Sequence, residues 1–138
     1  MPRCAVLACA CVVAATVTAS PVGTLPPAQM SGGVAFRTGG VGELEAAAMR
    51  RAEPSYPLSV EFFRRHDGED EFVADVDVTI ADRDGRTLLS ARGAGPVLLA
   101  DLPDGSYMVV ARQNGETTRK RVTLAGRPER LVFIWPAA

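Results

Sequence analysis

After Pro57 the chain adopts a period of two, and that pattern limits its fold more than any other feature. Leu58, Val60 and Phe62 alternate with Ser59, Glu61 and Phe63; Val76, Val78 and Ile80 alternate with Asp75, Asp77 and Thr79. Tyr107, Val109 and Ala111 alternate with Ser106, Met108 and Val110, and Val122 and Leu124 with Arg121 and Thr123. Successive side chains of a strand point to opposite faces, so each segment predicts a strand with one buried face. Residues 86–91, 97–102 and 131–135 alternate less but have strand length. Between the strands lie Asp82-Arg83-Asp84-Gly85, Leu102-Pro103-Asp104-Gly105 and Asn114-Gly115. The last is the strongest hairpin signal, because both residues tolerate the positive φ of a tight turn. Seven short strands without intervening helices predict a mainly β domain over residues 57–138, an antiparallel seven-stranded sandwich.

One helical segment precedes it, within residues 42–54. Glu43 and Glu45 stand in its first turn and Arg50 and Arg51 in its last, matching the helix dipole. Leu44, Ala48 and Ala52 form a narrow apolar stripe, and Pro54 ends the run. Such a short helix is marginal alone and must lean on another element. Residues 20–41 carry three prolines and five glycines with few large apolar side chains, a composition that predicts a flexible leader docking near Val34 and Phe36.

Residues 1–19 have the three parts of a secretory signal: Arg3, the uncharged run Cys4 to Val17, and small residues at Val17 and Ala19. Cleavage is expected between Ala19 and Ser20, giving a periplasmic or secreted protein. The run is shorter than the ~20 residues of a spanning helix, so no stable membrane span is expected after cleavage. Val6-Leu7-Ala8-Cys9 faintly resembles a lipid-attachment box, but only five residues separate Arg3 from Cys9. Cys4, Cys9 and Cys11 all leave with the signal, so the mature chain is expected to hold no disulfide and no cysteine-ligated zinc.

The stretches Asp75 to Gly85 and Asp101 to Ala111, followed by Asn114-Gly115 and a Thr-rich strand, resemble a carboxypeptidase regulatory-like domain. Such domains are transthyretin-like β-sandwiches that serve as accessory modules. Gly39 to Glu43 ahead of a short helix is similar to small proteobacterial exported proteins carrying this domain. The most specific piece is Leu102-Pro103-Asp104-Gly105-Ser106-Tyr107, a turn followed by a core tyrosine. The resemblance implies a fold and a non-catalytic role, with no catalytic residue to carry over.

The residues themselves offer little chemistry. His66 is the sole histidine and reads as a loop residue beside Asp67-Gly68. The Tyr-Arg-Gly-Ser ending of the transthyretin-like hydrolases is absent; the chain ends Phe133-Ile-Trp-Pro-Ala-Ala. Asp67, Glu69, Asp70 and Glu71 form an expected acidic loop, and Asp82 to Gly85 superficially resembles the start of a calcium loop. An EF-hand needs glutamate at its twelfth position, where Gly93 stands, so a turn and a solvated loop explain these residues better. Asp75 and Asp77 read as the polar face of a strand. No serine sits in a nucleophile elbow, and the glycines at 39–42 lack a Walker lysine. No cofactor and no metal site is expected.

Charge is more informative. Without Arg3, 14 basic groups face 16 acidic ones, a balance that argues against nucleic acid as a partner. Residues 61–104 carry a net charge of −6, whereas residues 105–138 carry +4. Arg112, Arg119, Lys120, Arg121, Arg127 and Arg130 make up the late basic cluster. Arg119 and Arg121 share the strand face opposite Val122 and Leu124 and should lie in solvent. Charged strands guard sheet edges against aggregation, and the same charges attract an anionic partner such as an acidic protein face or an envelope polysaccharide. The leading expectation is a non-catalytic exported binding or accessory module of the bacterial cell envelope. A structural or assembly protein acting through strand edges and a basic face is the alternative, and a hydrolase on a transthyretin-like scaffold the third.

Overall fold

The structure, a computed structural model, describes residues 25–136. The signal segment and its cleavage position at Ala19 and Ser20 therefore lie outside the described residues. Ten strands form two sheets: β1 (Gln29–Ser31), β2 (Val34–Gly39), β3 (Leu58–His66), β4 (Glu69–Phe72), β5 (Val76–Asp82), β6 (Thr87–Ala94), β7 (Val97–Asp101), β8 (Gly105–Gln113), β9 (Glu116–Leu124) and β10 (Glu129–Trp135). One sheet has the order β1-β2-β7-β3-β10, with β4 added alongside β3; the other runs β6-β5-β8-β9.

All seven strands legible in the pattern are present, and three more correct the expected count. Two of these, β1 and β2, come from the segment expected to be a flexible leader. The leader reading fails there because Val34 and Phe36 alternate onto the core side and are buried. Their strand then gains a ladder with β7, from Ala35 opposite Asp101 to Gly39 opposite Val97. The third, β4, comes from the expected acidic loop: Asp67-Gly68 is the turn, and Glu69 to Phe72 pair back onto β3. Antiparallel pairing also has one exception. The last strand, β10, runs parallel to β3, Glu129 opposite Leu58 through Trp135 opposite Arg64.

Between the sheets lies the main core, where Val60, Phe62, Val78, Ile80, Leu98, Val109, Phe133 and Trp135 are fully buried or nearly so. Phe62, Phe133 and Trp135 form an aromatic cluster with ring centroids 5.7–6.1 Å apart. Tyr107 joins the core by its ring while its hydroxyl donates to the Pro103 carbonyl at 2.6 Å, pinning the turn that precedes its own strand. Asn114 (φ 52°) and Gly115 (φ 81°) form the two-residue turn of the β8–β9 hairpin, with Gln113 opposite Glu116.

The helix α1 (Glu43–Ala52), continued by a 3-10 turn Glu53–Ser55, covers the outer face of the six-stranded sheet. Its buried side is Ala48 and Met49 with Ala52 partly buried, whereas Leu44, expected in the apolar stripe, is 51 % exposed. Met49 packs on Val97 and Leu99 of β7. That strand is consequently buried on both faces, with Leu98 and Ala100 in the main core, which explains its unbroken apolar run.

Candidate functional site

The six basic residues singled out in the sequence do not form one face. Alternation along β8 sends Tyr107, Val109 and Ala111 inward, and cross-strand register carries their partners Val122, Lys120 and Thr118 to the same side. Arg119 and Arg121 stand on the outer face, opposite Val110 and Met108, and Arg112 shares that face opposite Thr117. All three arginines are exposed, and among the described residues they form no ion pair. Asp77 stands opposite Arg112 on the neighbouring strand, but its Oδ1 accepts from the Gly93 N–H at 3.1 Å.

The other three basic residues go elsewhere. Lys120 reaches from β9 to β10, where its Nζ donates to the Val132 carbonyl and lies 5.5 Å from the Phe133 ring centroid. It closes the seam between the sheets. Arg127 lies in the loop before β10, beside Asp104 and Pro54 to Pro57. Arg130 belongs to the other sheet, where its Nε donates to Glu61 Oε2 at 2.6 Å. A continuous sequence of charges is thus divided among two sheet faces, a seam and a loop.

Arg130 leads to a group that the sequence reading passed over. Alternation assigns Glu61 to the polar face of β3, yet it is 1 % exposed because α1 and the 3-10 turn lie over that face. Glu53, at the start of that turn, meets it carboxyl to carboxyl. Glu53 Oε2 and Glu61 Oε1 are both buried without another hydrogen-bond partner. Burial, then the hydrogen bond and negative charge of Glu61, push the Glu53 carboxyl up to about 7 against the opposing charges of Arg130 and Arg50. Burial alone would push Glu61 up as well; the hydrogen bonds from Arg130 and Glu53 and the charges of Arg130 and Arg50 outweigh it and hold Glu61 below its ordinary value of 4.5. A proton retained on Glu53 gives the carboxyl pair its donor, while Glu61, held low, stays ionised against Arg130. The one sequence signal was a glutamate inside the run Leu58 to Phe63.

Two hollows lie on opposite faces of the sandwich. One, about 740 Å³, lies against the first turns of α1 and is walled by Val41, Ala46, Ala47, Phe72 and Pro96. Arg50 beside it already sits over the Phe72 ring at 5.0 Å. The other, about 620 Å³ and more enclosed, lies on the outer face of the four-stranded sheet and includes Arg121. His66 ends β3, exposed and 3.4 Å from Asp67, and the Asp82 carboxylate is held in its turn by the N–H groups of Asp84 and Arg86, both at 2.9 Å. Among the described residues no group of three His, Cys, Asp or Glu side chains converges on a metal-sized point, and no helix is long and apolar enough to cross a membrane. No protein-family model matches the chain, and no curated protein matches it. The fold and the geometry therefore define a mainly β protein of two packed sheets with an arginine-bearing outer face.

Proposed function

We propose that this chain is a non-catalytic, exported binding module of the cell envelope, of the carboxypeptidase regulatory-like type, and that it takes an anionic partner on the outer face of its four-stranded sheet. The observation that carries the reading is the placement of Arg112, Arg119 and Arg121 on one exposed face, where among the described residues none of the three forms an ion pair. Ser90, Thr79, Ser106, Thr117 and Thr123 occupy neighbouring outward positions beside Met108 and Val110, so hydroxyl groups flank the arginines. The Tyr107–Pro103 hydrogen bond supports the module type, since a turn locked by a core tyrosine is the feature on which the resemblance rests. Export rests on the signal anatomy of residues 1–19.

Binding of the mature protein to polygalacturonate and to polyglutamate, with neutral dextran as control, tests the reading. Retention on a polyanion that weakens steadily with salt is expected, as is its loss in the Arg119→Ser/Arg121→Ser double variant. Those side chains contribute little to folding, well under ~1 kcal/mol per exposed pair. Equal retention of the double variant across salt concentrations would leave these residues as an edge guard only.

A further inference from the structure

The cleft at one end of this face is lined by charged, hydroxyl and apolar side chains. It lies where β5, the turn after it, β8 and β9 meet, and Asp82, Arg83, Ser106, Met108, Arg121 and Thr123 line it. Register places these groups side by side: Met108 is opposite Arg121, and Ser106 is opposite Thr123. Tyr107 stands opposite Asp82 on the adjoining strand. Its volume of about 620 Å³ falls within the range of small-ligand sites, roughly 300–1,000 Å³.

From this, resting on the anionic-partner reading above, we propose that the cleft is a subsite for one acidic sugar residue, a hexuronate, within a longer polysaccharide. Arg83, Arg121 and Asp82 are the charged residues of the lining, so the cleft carries a single net positive charge and matches a monoanion. A carboxylate fits the planar guanidinium fork with two parallel hydrogen bonds. The Ser106 and Thr123 hydroxyls lie 3.2 Å apart and bond to each other, so each retains donor or acceptor capacity for ligand hydroxyls. The Asp82 Oδ1 atom already accepts two backbone N–H groups, which fixes the carboxylate and leaves Oδ2 to accept from a hydroxyl. That same negative charge opposes a phosphate dianion. Between these polar groups, Met108 and the Ala81 methyl give the apolar floor on which a pyranose ring rests. Arg119 is the next outward residue of β9 before Arg121, opposite Val110, so a neighbouring acidic residue of a polymer reaches it.

Titration of the mature protein with trigalacturonate, followed by amide chemical shifts, tests the assignment. Fully methyl-esterified trigalacturonate keeps the hydroxyls and removes the charge, and inorganic phosphate keeps charge without the ring. Saturable shifts largest at residues 81–85, 106–108 and 121–123 are expected with trigalacturonate alone. Arg83→Gln should weaken binding about tenfold, the loss of a charged hydrogen bond, with an unchanged melting temperature. Ser106→Ala should weaken it several-fold, showing that hydroxyls as well as charge are read. Phosphate binding as tight as trigalacturonate, or full affinity in Arg83→Gln, overturns the subsite. If polygalacturonate binding is lost in Arg119→Ser but untouched by Arg83→Gln and Ser106→Ala, the subsite falls while the anionic-face reading stands. Absence of any polyanion binding removes both.

Discussion

Replacing Glu53 with glutamine removes a carboxyl whose titration the fold raises to about 7. In the unfolded chain Glu53 loses its proton around 4.5, whereas in the folded protein burial and the neighbouring Glu61 hold it to about 7. Across that window the folded state binds more protons than the unfolded state, so wild-type stability must fall as pH rises from about 4.5 to about 7 and level off above it. At ~1.36 kcal/mol per pH unit the whole span amounts to about 3.4 kcal/mol. Glu53 is only partly buried, and solvent screening reduces the figure to about 2 kcal/mol. Glu61, held low, titrates below this window and its contribution disappears only in acid. Glutamine donates an N–H where the protonated Glu53 donates its O–H, so Glu53→Gln should match wild type near pH 5 and exceed it by about 2 kcal/mol at pH 8. Urea unfolding at pH 5, 6, 7 and 8, followed by fluorescence of Trp135, measures both curves; that residue is 1 % exposed and is the sole tryptophan. Parallel curves for the two proteins would refute the shared proton.

Four further outcomes follow. Arg130→Ala leaves the buried Glu61 carboxylate without its guanidinium and should cost about 2–3 kcal/mol, less than the roughly 3–5 kcal/mol of breaking a fully buried pair because Arg130 itself is 56 % exposed; a loss below ~0.5 kcal/mol in urea would contradict it. Phe62→Ala empties the centre of the aromatic cluster and should cost about 3–5 kcal/mol, read as a large drop in urea midpoint, with a wild-type midpoint contradicting the packing. Intact-mass measurement of the exported protein should give a chain that begins at Ser20, and calcium or chelator should leave its melting temperature unchanged; a full-length or lipid-bearing product, or a saturable calcium-dependent rise, would overturn the respective expectation.

Much of the fold was legible residue by residue, because period two and turn chemistry are local. Asn114-Gly115 specified a tight hairpin wherever the chain placed it, since positive φ is a property of those residues. The alternation Tyr107, Val109, Ala111 fixed which side of β8 is buried, and through it the outward direction of Arg119 and Arg121. What composition concealed was β2: Val34 and Phe36 carry the strand signal, but glycines and prolines around them read as a leader until β7 supplies the ladder.

The sequence by itself therefore determined strand identity, turn positions and the facing of each residue within its own strand. The tertiary structure decided what covers each face. Alternation assigns Glu61 to the side away from the core, but only the docking of α1 and its 3-10 turn makes that side an interior, with Glu53 and Arg130 brought together from positions 8 before and 69 after it. The division of the basic cluster has the same origin. Arg121 and Arg130 are near neighbours in sequence, yet β9 ends in one sheet and β10 pairs with β3 in the other, so their guanidinium groups serve opposite faces of the sandwich. A side chain's direction is set within two residues of backbone, whereas its partner is set by which strands pair, and pairing is a property of the whole chain.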